Sequence, residues 1–150
     1  MKSISVTSVI VFVIIILGIF LDHSEKSTKE VVVPADTQAH IDSKRDLIVL
    51  ESPQPLDSLT FPLTVQGKAR GYWFFEASFP LVLTDSDGLI IAEGYATAQS
   101  DWMTEDFVTF EGVLEFTTPK HDDRGILILK KANASGLPEH DDALEIPVVF

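Results

Sequence analysis

From Leu47 to Phe150 the apolar residues recur at every second position in short runs, and this constrains the chain more than any other feature. Side chains alternate between two faces only in extended backbone, so a period of two demands strands with one covered face. The runs are Leu47 to Glu51, Pro62 to Gly67, Trp73 to Leu83, Leu89 to Ala98, Phe107 to Phe116, Ile126 to Lys131 and Leu144 to Phe150. Clusters of Pro, Gly, Asp and Ser separate them, as turns require. No convincing helix interrupts this region. The pattern predicts an all-β fold of about seven strands, packed as a two-sheet sandwich, with a small closed barrel as the alternative.

The third run carries the most local information. Trp73, Phe75, Ala77, Phe79, Leu81 and Leu83 share one parity and are expected to face the core, leaving Tyr72, Phe74, Glu76, Ser78 and Val82 on the mixed face. Pro80 lacks an N–H, so an edge position, a bulge or a break is expected there. Asp85-Ser86-Asp87-Gly88 reads as a tight hairpin turn with Gly88 at positive φ. Strands of this number and spacing suit a sandwich of immunoglobulin-like type.

The first part of the chain concerns location. Ile4 to Leu21 is an uncharged run of 18 residues. As a helix it would reach about 27 Å, close to the hydrocarbon thickness of a bilayer. Gly18-Ile19-Phe20-Leu21 offers no small-x-small cleavage site, so residues 1–21 are expected to be an uncleaved transmembrane anchor rather than a removed signal peptide. Lys2 and the terminal amine balance Lys26 and Lys29 across it, so charge does not set its orientation. A very short tail before a single apolar helix serves to deliver the C-terminal portion across the membrane, which places the remainder outside the cytoplasm. Residues 22–46 are polar, aperiodic and expected to be a flexible tether, with His23 and His40 as solvated histidines. Residues 47–150 form the expected domain.

Charge and composition exclude several functions. The net charge is −12, with only 11 Lys and Arg spread along the chain, which argues against nucleic acid as a partner. The absence of cysteine excludes disulfides, thiolate metal sites and a cysteine nucleophile. No Walker, dinucleotide-binding or His-Glu-x-x-His pattern occurs. His121 and His140 sit in acidic turns, and Ser135 near His140 lacks the Gly-x-Ser-x-Gly frame of an activated nucleophile. The expectation is therefore no enzyme and no cofactor.

Two sets of residues remain as candidate sites. If each strand crosses the fold once, the connections 67–72, 99–106 and 133–142 meet at one end. They carry Asp101, Glu105, Asp106, Glu139, Asp141 and Asp142 against Lys68 and Arg70. Plainly solvated loops are the preferred reading of these acids, and because hard oxygen ligands on loops suit Ca²⁺ better than softer metals, a metal cluster is the alternative. Asp85 to Gly88 begins like a calcium loop, but Ala96 and Thr97 stand where the bidentate Glu belongs. The second set is Arg70, Trp73, Glu76 and Trp102, the candidate partner-binding residues. Arg70 and Glu76 flank the aromatic run Tyr72 to Phe75 and could pair to orient Trp73, or Arg70 and Trp102 could stand exposed as an anchor for a protein partner.

The stretch Pro62-Leu63-Thr64-Val65-Gln66-Gly67-Lys68-Ala69-Arg70-Gly71-Tyr72-Trp73-Phe74-Phe75-Glu76-Ala77 resembles the immunoglobulin-like domain of bacterial spore germination proteins. The likeness continues in Asp101-Trp102-Met103, Phe107 to Glu111, Ser135-Gly136-Leu137-Pro138 and Ile146-Pro147-Val148-Val149-Phe150. The resemblance covers roughly Leu47 to Phe150. It implies an extracytoplasmic bacterial domain with a sandwich fold and no established enzymatic activity. The resulting expectation is a single-pass, membrane-anchored module of the cell envelope that holds another envelope protein, with an acidic calcium- or glycan-binding domain as the alternative.

Overall fold

The computed structural model describes residues 32–121 and 123–150. The expected anchor lies outside the described residues, and among those described no helix is long and apolar enough to cross a membrane. Seven strands follow one helix: α1 Ala35–Lys44, β1 Ile48–Ser52, β2 Leu63–Arg70, β3 Ser78–Asp85, β4 Ile90–Ala98, β5 Phe107–Leu114, β6 Arg124–Lys130 and β7 Ala143–Val149. They form one antiparallel sheet in the order β1-β2-β5-β4-β3-β6-β7.

Hydrogen bonding divides this sheet into two layers joined by a narrow seam. β2 and β5 pair along their whole length, Leu63 with Leu114 to Arg70 with Phe107. β4 and β5 share only the register Ala96–Gly112 to Ala98–Phe110. β4, β3, β6 and β7 make the second layer. After β1 the chain returns through residues 56–59, where Leu56 and Leu59 donate to Pro147 and Val149 at 2.7 Å and Ser58 bridges Val149 in parallel. The sheet is thus nearly closed, which is consistent with the immunoglobulin-like expectation and shows why a barrel competed with it.

A single core fills the interior. The even rhythm of burial along β2, β5 and β6 is the predicted alternation. Phe79 of β3 meets Phe110 of β5 edge to face at 4.9 Å between centroids, tying the two layers together. Pro80 pairs with Tyr95 of β4, while the ladder with β6 begins only at Leu81. Its missing N–H therefore falls where β3 is bonded on one side, the local edge its sequence demanded. Asp85 to Gly88 forms the predicted turn: Gly88 has φ of 81°, and Asp85 Oδ1 accepts from the amides of Asp87 and Leu89.

Two expectations need correction. The third strand begins at Ser78, not Trp73, because Gly71–Trp73 is a 3-10 turn and Glu76 and Ala77 have φ of 49° and 61°. This break resets the parity, so Trp73 and Phe74 are both buried and Phe75 is 48% exposed. The second correction concerns the tether, whose C-terminal part is the helix α1 packed on β7. Its own sequence supports it weakly, with Asp36 in the first turn and Lys44 in the last favouring the helix dipole. Tertiary contacts do the rest. Lys44 pairs with Asp142, His40 Nε2 accepts from the Glu145 amide at 3.2 Å, and Ile41 packs against the core. His40 is therefore engaged rather than solvated.

Candidate functional site

The end of the fold that receives β2, β4 and β6 collects the chemistry-bearing loops. Gly71 donates to the Asp106 carbonyl at 3.1 Å, Ala98 to that of Ala77 at 2.8 Å and Ala132 to that of Trp73 at 2.9 Å. The connections 71–77, 99–106 and 131–142 therefore meet, as the strand count required. Gly71 is obligatory here, since a Cβ on it would collide with the carbonyls of Trp102 and Thr104.

The four candidate partner-binding residues separate. Trp73 is wholly buried, and its Nε1 finds no hydrogen-bond partner, so it holds the loop end together from within and presents nothing to a partner. Arg70 does not reach Glu76. Its Nε donates to the Asp46 carbonyl at 2.9 Å and its Nη1 to that of Glu105 at 3.3 Å. The guanidinium lies 4.1 Å from the Phe107 ring centroid, with Lys68 Nζ 5.4 Å from the same ring. Pairing with a neighbouring strand across the β2–β5 ladder placed Phe107 beside Arg70, whereas Glu76 lies beyond a chain reversal. Trp102 is half-buried and packs on the core. Glu76 is exposed.

Glu76 belongs to a two-residue turn with a specific cost. Phe75 and Ser78 exchange both backbone bonds, at 2.9 and 3.1 Å, and both central residues occupy left-handed backbone. That geometry favours Asn-Gly or Gly-Gly, and Glu-Ala bears strain of order 1 kcal/mol per residue. The turn projects Phe75 outward. Phe75, Glu76, Pro80, Tyr95, Asn133 and Ala134 line a cleft of about 400 Å³, and Tyr95 is 66% exposed. Sequence reasoning missed this pair of aromatics. Tyr95 was legible as an outward position of an alternating strand, while Phe75 was hidden by the assumption that the strand ran unbroken from Trp73.

The six loop carboxylates do not converge. Asp142 is drawn to Lys44 of α1. Asp141 Oδ1 accepts from Asn133 Nδ2 at 2.7 Å, and Asp101 Oδ1 accepts from the Met103 amide at 3.0 Å. Glu105 and Asp106 enter the loop network through their backbone carbonyls, and Glu139 is exposed in a 3-10 turn. Among the described residues no three carboxylate or imidazole groups could share one cation. The candidate calcium cluster is thus dispersed among the described residues, with Asp101 bonded within its own turn, Asp141 to Asn133 and Asp142 to Lys44. Ser135 Oγ is likewise a turn former, donating to Asn133 Oδ1 at 2.6 Å and accepting from the Leu137 amide.

A family model described as the immunoglobulin-like domain of bacterial spore germination matches residues 47–136. It begins after α1 and ends before β7. No curated protein matches the chain, and no solved structure does.

Proposed function

The chain belongs to the family of immunoglobulin-like domains of bacterial spore germination, and from that premise we propose that it is a non-catalytic interaction module that holds another protein of the cell envelope. The observation that carries this reading is the strained Glu76-Ala77 turn holding Phe75 outward beside Tyr95. Backbone strain persists where surrounding structure maintains it, and it concentrates at working surfaces. Exposed aromatic side chains flanking a cleft, with Glu76 and Asn133 at its margin, are the composition of a protein contact centre with a polar rim. The uncharged run Ile4 to Leu21 supports a single-pass anchor that delivers the domain outside the cytoplasm.

The test is a photo-crosslinking residue placed at Phe75 in the full chain in cells, with the same residue at Thr109 on the opposite layer as the control. A discrete adduct from position 75 that is absent from position 109 is expected. Absence of any adduct at 75, or the same adducts at both positions, would overturn the proposed contact.

A further inference from the structure

An odd number of strands cannot close an antiparallel sheet on itself. Every pairing from β1 to β7 is antiparallel, so the two free edges, β1 and β7, run in the same direction. Between them lies a cleft of about 600 Å³, lined by Ile41 of α1, Ile48 and Leu50 of β1, and Leu144 and Ile146 of β7.

Main-chain bonding gives this seam a definite pattern. Arg70 donates to the Leu47 carbonyl and Val49 lies opposite Lys68, so alternation along the ladder turns the N–H and C=O of Ile48 and Leu50 away from β2 and towards the seam. No described residue bonds them. Ile48 is 1% exposed, so its main-chain groups are shut off from water, where folded proteins seldom leave them unpaired. On β7, Lys131 donates to the Asp142 carbonyl and Leu56 to that of Pro147, and the same alternation turns Ala143 and Glu145 towards the seam. His40 Nε2 of α1 accepts from the Glu145 amide there, standing where the carbonyl of a neighbouring strand would be.

The two edges also match in parity. On β1 the residue bonding towards the seam is the buried Ile48, whereas on β7 it is the exposed Glu145. A strand lying between them and antiparallel to both bonds β1 through its inward residues and β7 through its outward ones, which is the alternation of any antiparallel strand. A helix has its main-chain groups paired along its length, and an acyl chain has none. Only extended backbone completes the pattern.

We propose that the β1–β7 seam accepts one extended segment of a partner protein, which adds as an eighth strand antiparallel to both edges, with α1 as the displaceable cover of the site. Addition of a strand to a sheet edge is a recurrent mode of peptide recognition. The inward residues of the segment are apolar, because they meet Ile48, Leu144 and Ile146. Its length is set by β1, whose five residues span about 17 Å. α1 has no side-chain N-cap and no buried residue, so it is the part of the seam most easily moved. The site shares no lining residue with the cleft beside Phe75.

The natural chain has no cysteine, so a thiol introduced by Val49→Cys or, separately, by Glu145→Cys reports what lies beside each edge. The probe is a short peptide of alternating threonine and valine with a lysine at each end and its central threonine replaced by cysteine, offered to the full chain in detergent under reversible thiol exchange. Its twin is N-methylated at the valines, which keeps the side chains and removes the N–H groups that would bond β1. Capture of the probe at both positions is expected to exceed that of the twin, and that at Thr109→Cys on β5, by about tenfold, the effect of losing a few main-chain hydrogen bonds. Adding His40→Ala, which frees the Glu145 amide, should raise capture further. Equal capture of the methylated twin, or capture no greater than at Thr109→Cys, would overturn strand addition, and unchanged capture with His40→Ala would overturn the role given to α1. Neither result bears on the adduct sought at Phe75, so the two readings fail separately.

Discussion

Arg70 stacks on Phe107 at 4.1 Å and bonds two carbonyls, one preceding β1 and one preceding β5. One guanidinium thereby ties three segments together at the loop end. Its removal forfeits a stacked cation and two charge-assisted hydrogen bonds. Arg70→Ala is expected to destabilise the fold by about 1 to 2 kcal/mol. Glu76→Gln should stay within about 0.5 kcal/mol, typical of a surface change. Because the two residues do not touch, the double variant should be additive. Urea denaturation of the four proteins checks this, and a coupling well above 0.5 kcal/mol would show that they interact after all.

The second prediction concerns the aromatic run. With Trp73 and Phe74 both buried and Phe75 exposed, Trp73→Ala and Phe74→Ala should each cost about 3 to 5 kcal/mol, a large share of a domain's stability. Phe75→Ala should cost no more than about 1 kcal/mol. Trp73→Phe should cost clearly less than Trp73→Ala, since it keeps most of the ring volume and removes an indole N–H that has no partner. Midpoints of thermal unfolding rank the series.

These residues also show what the sequence made legible. The alternation of β2, β5, β6 and β7 survives in the structure because each strand has one buried face, and period two reports that condition directly. The meeting of three loops followed from strand count alone. Alternation could not reveal the reversal at Glu76-Ala77, because neither residue is a glycine or asparagine that would announce left-handed backbone. Nor could it reveal α1, whose ten residues contribute little beyond Ile41 to the core and which is held by partners at Asp142 and Glu145 about a hundred residues away. Arg70 was misassigned for a related reason: its partner lies across the β2–β5 ladder, not along the chain.

The docking of α1 yields a third prediction. His40→Ala should increase hydrogen exchange at the Glu145 amide, which would lose its acceptor. Ile41→Ser combined with Lys44→Ala should lower stability by about 1 to 3 kcal/mol, through lost burial and a broken, partly buried ion pair. Unchanged exchange at Glu145 in the His40 variant would show that the helix leaves β7 readily.

Calcium gives the fourth. One oxygen of each of Asp101, Asp141 and Asp142 is engaged with a protein donor, and among the described residues no three such groups come together to form a cage for Ca²⁺. Screening of the acidic chain does not discriminate between hard divalent ions. Millimolar Ca²⁺ and Mg²⁺ should therefore shift the unfolding midpoint equally. A calcium-specific rise of several degrees, lost in Asp101→Asn or Asp141→Asn, would restore the metal reading, because a ligand of the native state alone stabilises by RT ln(1 + [L]/Kd), about 2.7 kcal/mol at a hundredfold excess.

The proposed anchor gives the last prediction. Ile4 to Leu21 carries no charge and lacks a small-x-small site at its end, so the mature chain should keep this run and remain with membranes through a high-salt wash. Salt removes proteins held by surface charge but not a helix whose apolar residues sit in hydrocarbon. Protease added outside the cytoplasmic membrane should then digest the domain while sparing the anchor, since the domain is proposed to lie on that side. A mature N-terminus beyond Leu21 by mass spectrometry, release by salt, or protection of the domain from external protease would each defeat this part of the proposal. The first two outcomes would remove the anchor, and the third would reverse its orientation.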